Sequence, residues 1–202
     1  MDHKFMLEEV QKIRSRNRLD LNDKKTLILN LSFVHQIALA SENLLAEAAE
    51  KTEGYLSEYY AEHCKEEVGH ENWLADDLMT FGVDVSKLPR FAKAIEMAGS
   101  QYYLLKHYSP HCLLGYMLTV EGFPMSLENV EKLENIYGTD IMRTLRYHSI
   151  NDIEHRKDLF AIIDKDPRQE ILESALQTAM YINDFNDQIN AGLHDGLIKE
   201  MS

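Results

Sequence analysis

The chain has 202 residues, 45% hydrophobic and 27% charged, with a formal net charge of −13, which suits one globular domain (1–202) with a single sizeable core. That charge argues against nucleic acid and anionic membrane surfaces as partners, because both need a basic stripe. No apolar run reaches the length of a bilayer span, and two cysteines, Cys64 and Cys112, are too few for a disulfide framework, which points to a reducing, cytoplasmic compartment.

The opening "MDHKFMLEEVQKIRSR" is charged throughout, lacks the apolar stretch of a secretory signal and is assigned no element. Apolar residues at helical spacing then predict a helix from about Leu21 to Thr52 and another from about Tyr55 to Thr80, stopped by "FGVD". "VSKLP" is a connector. A further helix is expected from Arg90 to Tyr108, ended by Pro110, and "CLLGYMLTVEG" is a short apolar helix bounded by Gly122 and Pro124. "SLENVEKLENIYG" has Ser126 as its cap and Gly138 as its stop. Segments from Thr139 to about Asp164 and from Arg168 to about His194 complete an all-α pattern of seven or eight helices, more than a four-helix bundle needs.

Two of these segments carry the same motif. In "YHSINDIEHRKDL", His148, Asp152 and His155 stand four and three residues apart, and in "HCKEEVGH" so do His63, Glu67 and His70. On a continuous helix such positions fall within roughly 60° of one another and share a face. With 9 histidines and 34 acidic residues in the chain, chance supplies about 0.07 instances of the pattern. One instance alone reads best as a solvated polar stripe, and Glu154, Arg156, Lys157 and Asp158 favour that reading for the second motif. Ile150, Ile153, Leu159 and Phe160 provide an apolar side that would bury the same helix in part. Two instances in one small helical domain favour metal binding. Imidazole with carboxylate suits Fe(II), Mn and Zn, and helical bundles build dinuclear iron sites from Glu and Glu-x-x-His on facing helices. A bridging carboxylate is then expected. Glu121, the lone acid of its apolar run, would be costly to bury unless paired or metal-bound, or else it is an exposed helix end. His63 is either a further ligand or a partner for acids such as Glu66. Tyr103, His107, His111 and Tyr116 are candidates to line a pocket beside Glu121.

Together, Glu67-x-x-His70, "LLGYMLTVEG" with Glu121, and His148-x3-Asp152-x2-His155 resemble the haem-oxygenase-like diiron oxidases and oxygenases over nearly the whole chain. The resemblance implies a haem-oxygenase-like bundle of seven to eight helices without haem, and a homodimer is the ordinary oligomeric default. It further implies a non-haem centre of two irons per chain, with manganese as an alternative in one position. The ligands would be Glu67, His70, Glu121, His148, Asp152 and His155. Such enzymes use O2 on small amines, amino acids or fatty acids, by N-oxygenation, C–C cleavage or oxidative decarboxylation. Some members draw an acid from seven residues before the first ligand histidine; that position is His63 here, which leaves the coordination of the first metal open. Metal-free relatives on the same fold offer other expectations: a TenA-like thiamine-salvage hydrolase with a nucleophilic cysteine, a cofactorless quinone-synthase-like oxidase, or a silent binding protein.

Overall fold

In the computed structural model residues 2–196 are described, and among them there are nine α-helices and no strand. They are α1 (His3–Arg14), α2 (Lys24–Glu50), α3 (Gly54–Glu67), α4 (His70–Thr80), α5 (Ala92–His107), α6 (Cys112–Val120), α7 (Leu127–Tyr137), α8 (Arg143–Lys165) and α9 (Gln169–Asn190). Short 3-10 turns, Val85–Lys87 and Thr139–Ile141, fill the connector before α5 and the entry to α8. No helix among the described residues is long and apolar enough to cross a membrane.

Two differences from the sequence expectation raise the helix count. The first is α1, where charge conceals an amphipathic pattern. Met6, Val10 and Ile13 recur at helical spacing and are buried, while Asp2 caps the helix by accepting from the Phe5 N–H at 2.9 Å. His3 pins it to α8, stacking on Phe160 at 4.4 Å and meeting Asp164 at 2.7 Å. The second is the long helix expected from Tyr55 to Thr80, which is two helices. Val68 leaves helical geometry and Gly69 takes φ +86°, a left-handed conformation that glycine adopts without a Cβ penalty.

The central helix is α6, buried along nearly its whole length. It lies so close to α9 that a Cβ on Gly115 would sit 2.0 Å from the Ile171 carbonyl oxygen and 2.7 Å from the Ala175 nitrogen. Only glycine permits that approach. Thr119 then ties the helices by donating to the Ala175 carbonyl at 3.0 Å. This contact fixes the height of Glu121, which follows α6 directly.

The apolar interior forms two clusters. The larger draws on α1, α2, α3, α5, α6, α8 and α9, with Met6, Phe33, Tyr60, Met97, Leu114 and Phe185 among its members. The smaller joins α2, α4 and α7 through Leu27, Leu31, Leu74, Leu78 and Val130, with Met142 at the entry to α8. A cavity of about 790 Å³ touches side chains of both, including Phe33 and Met117 from the first and Leu74 from the second. It is large enough for a small organic ligand.

Candidate metal centre

Four helices supply the polar groups around this cavity. Helix α3 ends with His63, Glu66 and Glu67; α4 begins with His70; Glu121 closes α6; and α8 presents His148, Asp152 and His155. The break at Gly69 determines how they meet. His63 and Glu67 share α3, but His70 starts a new helix, so the three do not form one continuous helical face as their spacing suggests. The turn instead brings His70 Nδ1 to 3.2 Å from Glu67 Oε1, with the His70 ring 5.0 Å from that of His148.

Two groups of close ligand atoms result: Glu67, His70 and His148 in one, and His63, Glu66 and His155 in the other. Glu66 Oε2 lies 3.4 Å from His63 Nδ1 and 3.5 Å from His155 Nε2. Asp152 stands between the groups. Its Oδ1 is 2.9 Å from His148 Nδ1 and 3.9 Å from His155 Nδ1. Glu121 is half-buried rather than an exposed helix end, and its Oε1 is 3.1 Å from His63 Nε2. All seven residues singled out from the sequence are therefore neighbours in space. Glu66 is the eighth, named from the sequence only as a partner for His63, which it is at 3.4 Å.

The two groups differ in setting. His63, Glu67, His70, Glu121, His148 and Asp152 line the cavity, whereas Glu66 and His155 stand behind its wall. Both ring nitrogens of His70 are buried; Nδ1 has only the poorly aligned contact with Glu67 Oε1, and Nε2, like Glu121 Oε2, has no hydrogen-bond partner. Buried polar atoms ordinarily have partners, so these are the atoms that a bound cation would satisfy.

Charge holds the metal-free cluster together. Burial opposes protonation of His63, but Glu121, through its charge and hydrogen bond, outweighs it with help from Glu67 and Glu66, leaving the imidazole at about 9. His148 moves upward for the same reason, with Asp152 overcoming burial. Burial pushes Glu67 up, yet His70, His148 and His63 hold it below the usual carboxylate range.

Other sequence expectations fare unevenly. Ile150 and Ile153 do not bury α8: they are 49% and 45% exposed, and Leu159, with partly buried Phe160, supplies its inner face. Tyr116 lines the cavity with its hydroxyl buried and unpartnered. Tyr103 and His107 face solvent, and His111 lies outside the cavity, bonded to Ser109 and 3.5 Å from Asp166. Cys64 and Cys112 are both free thiols.

The helical path matches solved structures. A domain of unknown function with a haem oxygenase-like fold from Shewanella denitrificans superposes with a TM-score of 0.64 and 15% identity, over 99% of this chain and 91% of that one. The chain has the haem-oxygenase-like fold. A TenA homolog from Pseudomonas syringae pv. tomato agrees with this at a TM-score of 0.69 and 10% identity, over 91% of this chain and 90% of that one. At these identities the likeness is one of fold. No family model and no curated protein matches the sequence. Within the haem-oxygenase-like fold, chemistry is set by the side chains at the site rather than by the helical path.

Proposed function

We propose that this chain is a non-haem dinuclear metal oxidase or oxygenase that uses O2 on an organic substrate in the central cavity. The observation that carries the reading is His70, a buried imidazole beside Glu67 and His148 whose Nε2 has no partner. Glu67, His70 and His148 would hold the ion facing the cavity, and His63, Glu66 and His155 the one behind it. Asp152 and Glu121 would stand between them. Iron is the expected metal, with manganese an alternative in one position. When bound, the pair supplies O2 binding and redox chemistry that side chains lack.

The chain's own contribution is positioning. Asp152 bonds His148 Nδ1 and so leaves Nε2 as the available donor. Phe33, Ile37, Leu113 and Met117 supply apolar walls that limit water around the reacting atoms. The count of carboxylates sets the charge: Glu66, Glu67, Glu121 and Asp152 carry four negative charges, which two divalent ions balance to zero. Without Glu66 the balance would be +1.

The fold comparisons fit a thiol hydrolase as well, but the cysteines do not. Burial pushes the Cys112 thiol to about 11 and raises Cys64, whose Sγ donates to the Glu42 carbonyl at 3.4 Å. Neither is poised as a thiolate nucleophile. Anaerobic titration with Fe(II) tests the metal reading. We expect about two irons per chain, a rise in melting temperature with iron, and O2 uptake once a substrate is found. Absence of Fe(II) binding, with His70→Ala melting identically in the presence and absence of iron, would refute it.

A further inference from the structure

Two glycines stand inside helices of the described chain, Gly99 and Gly115. Glycine weakens a helix interior relative to alanine, because it orders more backbone and packs no side chain. Gly115 is accounted for by α9, whose Ile171 carbonyl a Cβ would strike. Gly99, in the middle of α5, has no such neighbour. It is exposed, its φ is not positive, and a Cβ there would meet nothing within 4 Å. Nothing within one copy of the chain requires glycine at that position. The side chains one turn to either side are apolar and exposed: Ile95 and Tyr103 each keep 56% of their surface open. Tyr103 is flanked by His107, with ring centroids 4.7 Å apart, and by the equally exposed Tyr108 at 5.9 Å. Ile95, Glu96, Gly99, Tyr103 and Lys106 together form an outward stripe about 100° wide on the helix. It carries one acid and one base in a chain whose net charge is −13. The exposed isoleucines of α8 make no such face, since Ile150 and Ile153 stand beside Glu154 and Lys157, which pair with each other.

We infer that the outer face of α5 is a self-association surface, on which a second copy of this chain lays its own α5 antiparallel about a twofold axis at Gly99. A twofold interface is isologous, so each residue meets the one that mirrors it about the axis. Centred on Gly99, the antiparallel pairing sets Ile95 against Tyr103 of the second copy and brings Glu96 within about one helical turn of Lys106 of the second copy. Apolar side chains therefore meet apolar ones, and acid meets base, on both sides of the axis. Glycine at the axis lets the two backbones approach, as Gly115 does for α6 and α9. A parallel pairing would instead oppose Glu96 to Glu96 and Lys106 to Lys106. Charge also selects the face, because two copies of so acidic a chain repel one another over most of their surface, and this stripe is balanced. Exposed tyrosines suit the centre of such an interface. The pairing is independent of what the cavity binds and of whether it holds metal.

Sedimentation velocity of the full chain over a concentration series tests this. At about 50 μM, a concentration suited to a modest interface, the wild type is expected to sediment as a dimer, at twice the 23.4 kDa of one chain. Gly99→Leu should weaken the dimer at least about 30-fold, as loss of a central contact does. In the dilute monomer the same substitution should raise the melting temperature, because leucine favours the helix and meets nothing there. That rise shows that the variant is folded and that lost dimerisation is not lost structure. Tyr103→Asp, which sets an acid toward Ile95 and Glu96 of the second copy, should weaken the dimer by a similar factor. Glu96→Lys and Lys106→Glu should each weaken it, and the two combined should restore it, since the antiparallel pairing exchanges their places. A wild type that stays monomeric at about 50 μM overturns the inference. So does a dimer that survives both Gly99→Leu and Tyr103→Asp, because its interface lies on another face. A combined charge reversal that binds no better than either single one overturns the antiparallel arrangement.

Discussion

The two walls of the candidate metal centre carry one sequence pattern and two constructions. On α8, His148, Asp152 and His155 occupy consecutive turns of an unbroken helix, so the spacing alone determines how they project. On the facing wall, His63, Glu67 and His70 have the same spacing, but the chain breaks between Glu67 and His70 at Gly69. The unbroken wall delivers its histidines one to each ligand group, with Asp152 between them. The broken wall delivers a histidine and a glutamate to each: His63 and Glu66 to one, Glu67 and His70 to the other. Equal spacing therefore predicts equal chemistry only where the backbone is continuous.

The largest expected effect comes from removing one histidine from each wall. His70→Ala should abolish the ion facing the cavity, and His155→Ala the one behind it, so that each variant holds about one iron per chain by elemental analysis. Affinity at the lost position should fall at least about 100-fold, because groups that merely support ligands are already worth roughly 10- to 100-fold. Retention of two irons by either variant would dissolve the assignment of one group to one ion.

A smaller effect tests the break itself. A Cβ on Gly69 meets nothing closer than Asn72 Nδ2 at 3.9 Å, so the cost of Gly69→Ala lies in its φ of +86° rather than in crowding. That cost is about 1–2 kcal/mol, or a fall in melting temperature of about 2–8 °C for a chain of this size. The opposite substitution on the other wall, Glu154→Gly at an exposed site of α8, should cost about 1 kcal/mol because glycine weakens a continuous helix. If Gly69→Ala proved neutral, the left-handed turn would not be a requirement of the broken wall.

The walls are also joined. Asp77 of α4 is 1% exposed and accepts from the Thr144 N–H at 3.1 Å, capping the first turn of α8, where no local side chain does so. Asp77→Ala should cost about 1–2 kcal/mol, as loss of a helix cap does, and hydrogen exchange should quicken in the first turns of α8 before it does in α9.

What the sequence disclosed follows the same contrast. Helices with regular apolar spacing and ordinary caps, such as α7 with Ser126 and Gly138, were legible nearly to the residue, and so was the gathering of His63, Glu67, His70, Glu121, His148, Asp152 and His155. The all-helical class followed from periodicity. The break at Gly69 was not legible, because a glycine inside an apolar-periodic stretch is compatible with a continuous helix until tertiary packing selects the turn. Glu66 was legible only as a partner for His63, since only the approach of α8 brings His155 to it. Helix α1 was hidden because the charge of its segment obscured the buried stripe of Met6, Val10 and Ile13.

The last effect concerns protons in the metal-free protein, and its sign is the same on both walls. His63 on the broken wall is raised to about 9, against the ordinary histidine value of 6.5, by Glu121 acting against burial. A raised folded-state value means that the folded chain binds the proton more tightly than the unfolded one. The resulting stability is fully present below about pH 6.5 and is lost as the pH rises through about 9. His148 on the unbroken wall is raised too and contributes in the same direction. The melting temperature of the metal-free chain should therefore decline across that window, and His63→Gln should flatten most of the decline while His148→Gln removes a smaller part. Metal ions compete with those same protons, so Fe(II) affinity should rise with pH over the same interval and be accompanied by proton release in a weakly buffered titration. A metal-free melting temperature that climbs from neutral to mildly alkaline pH would mean that these histidines are neutral in the folded chain, and that the cluster is held by something other than their charge.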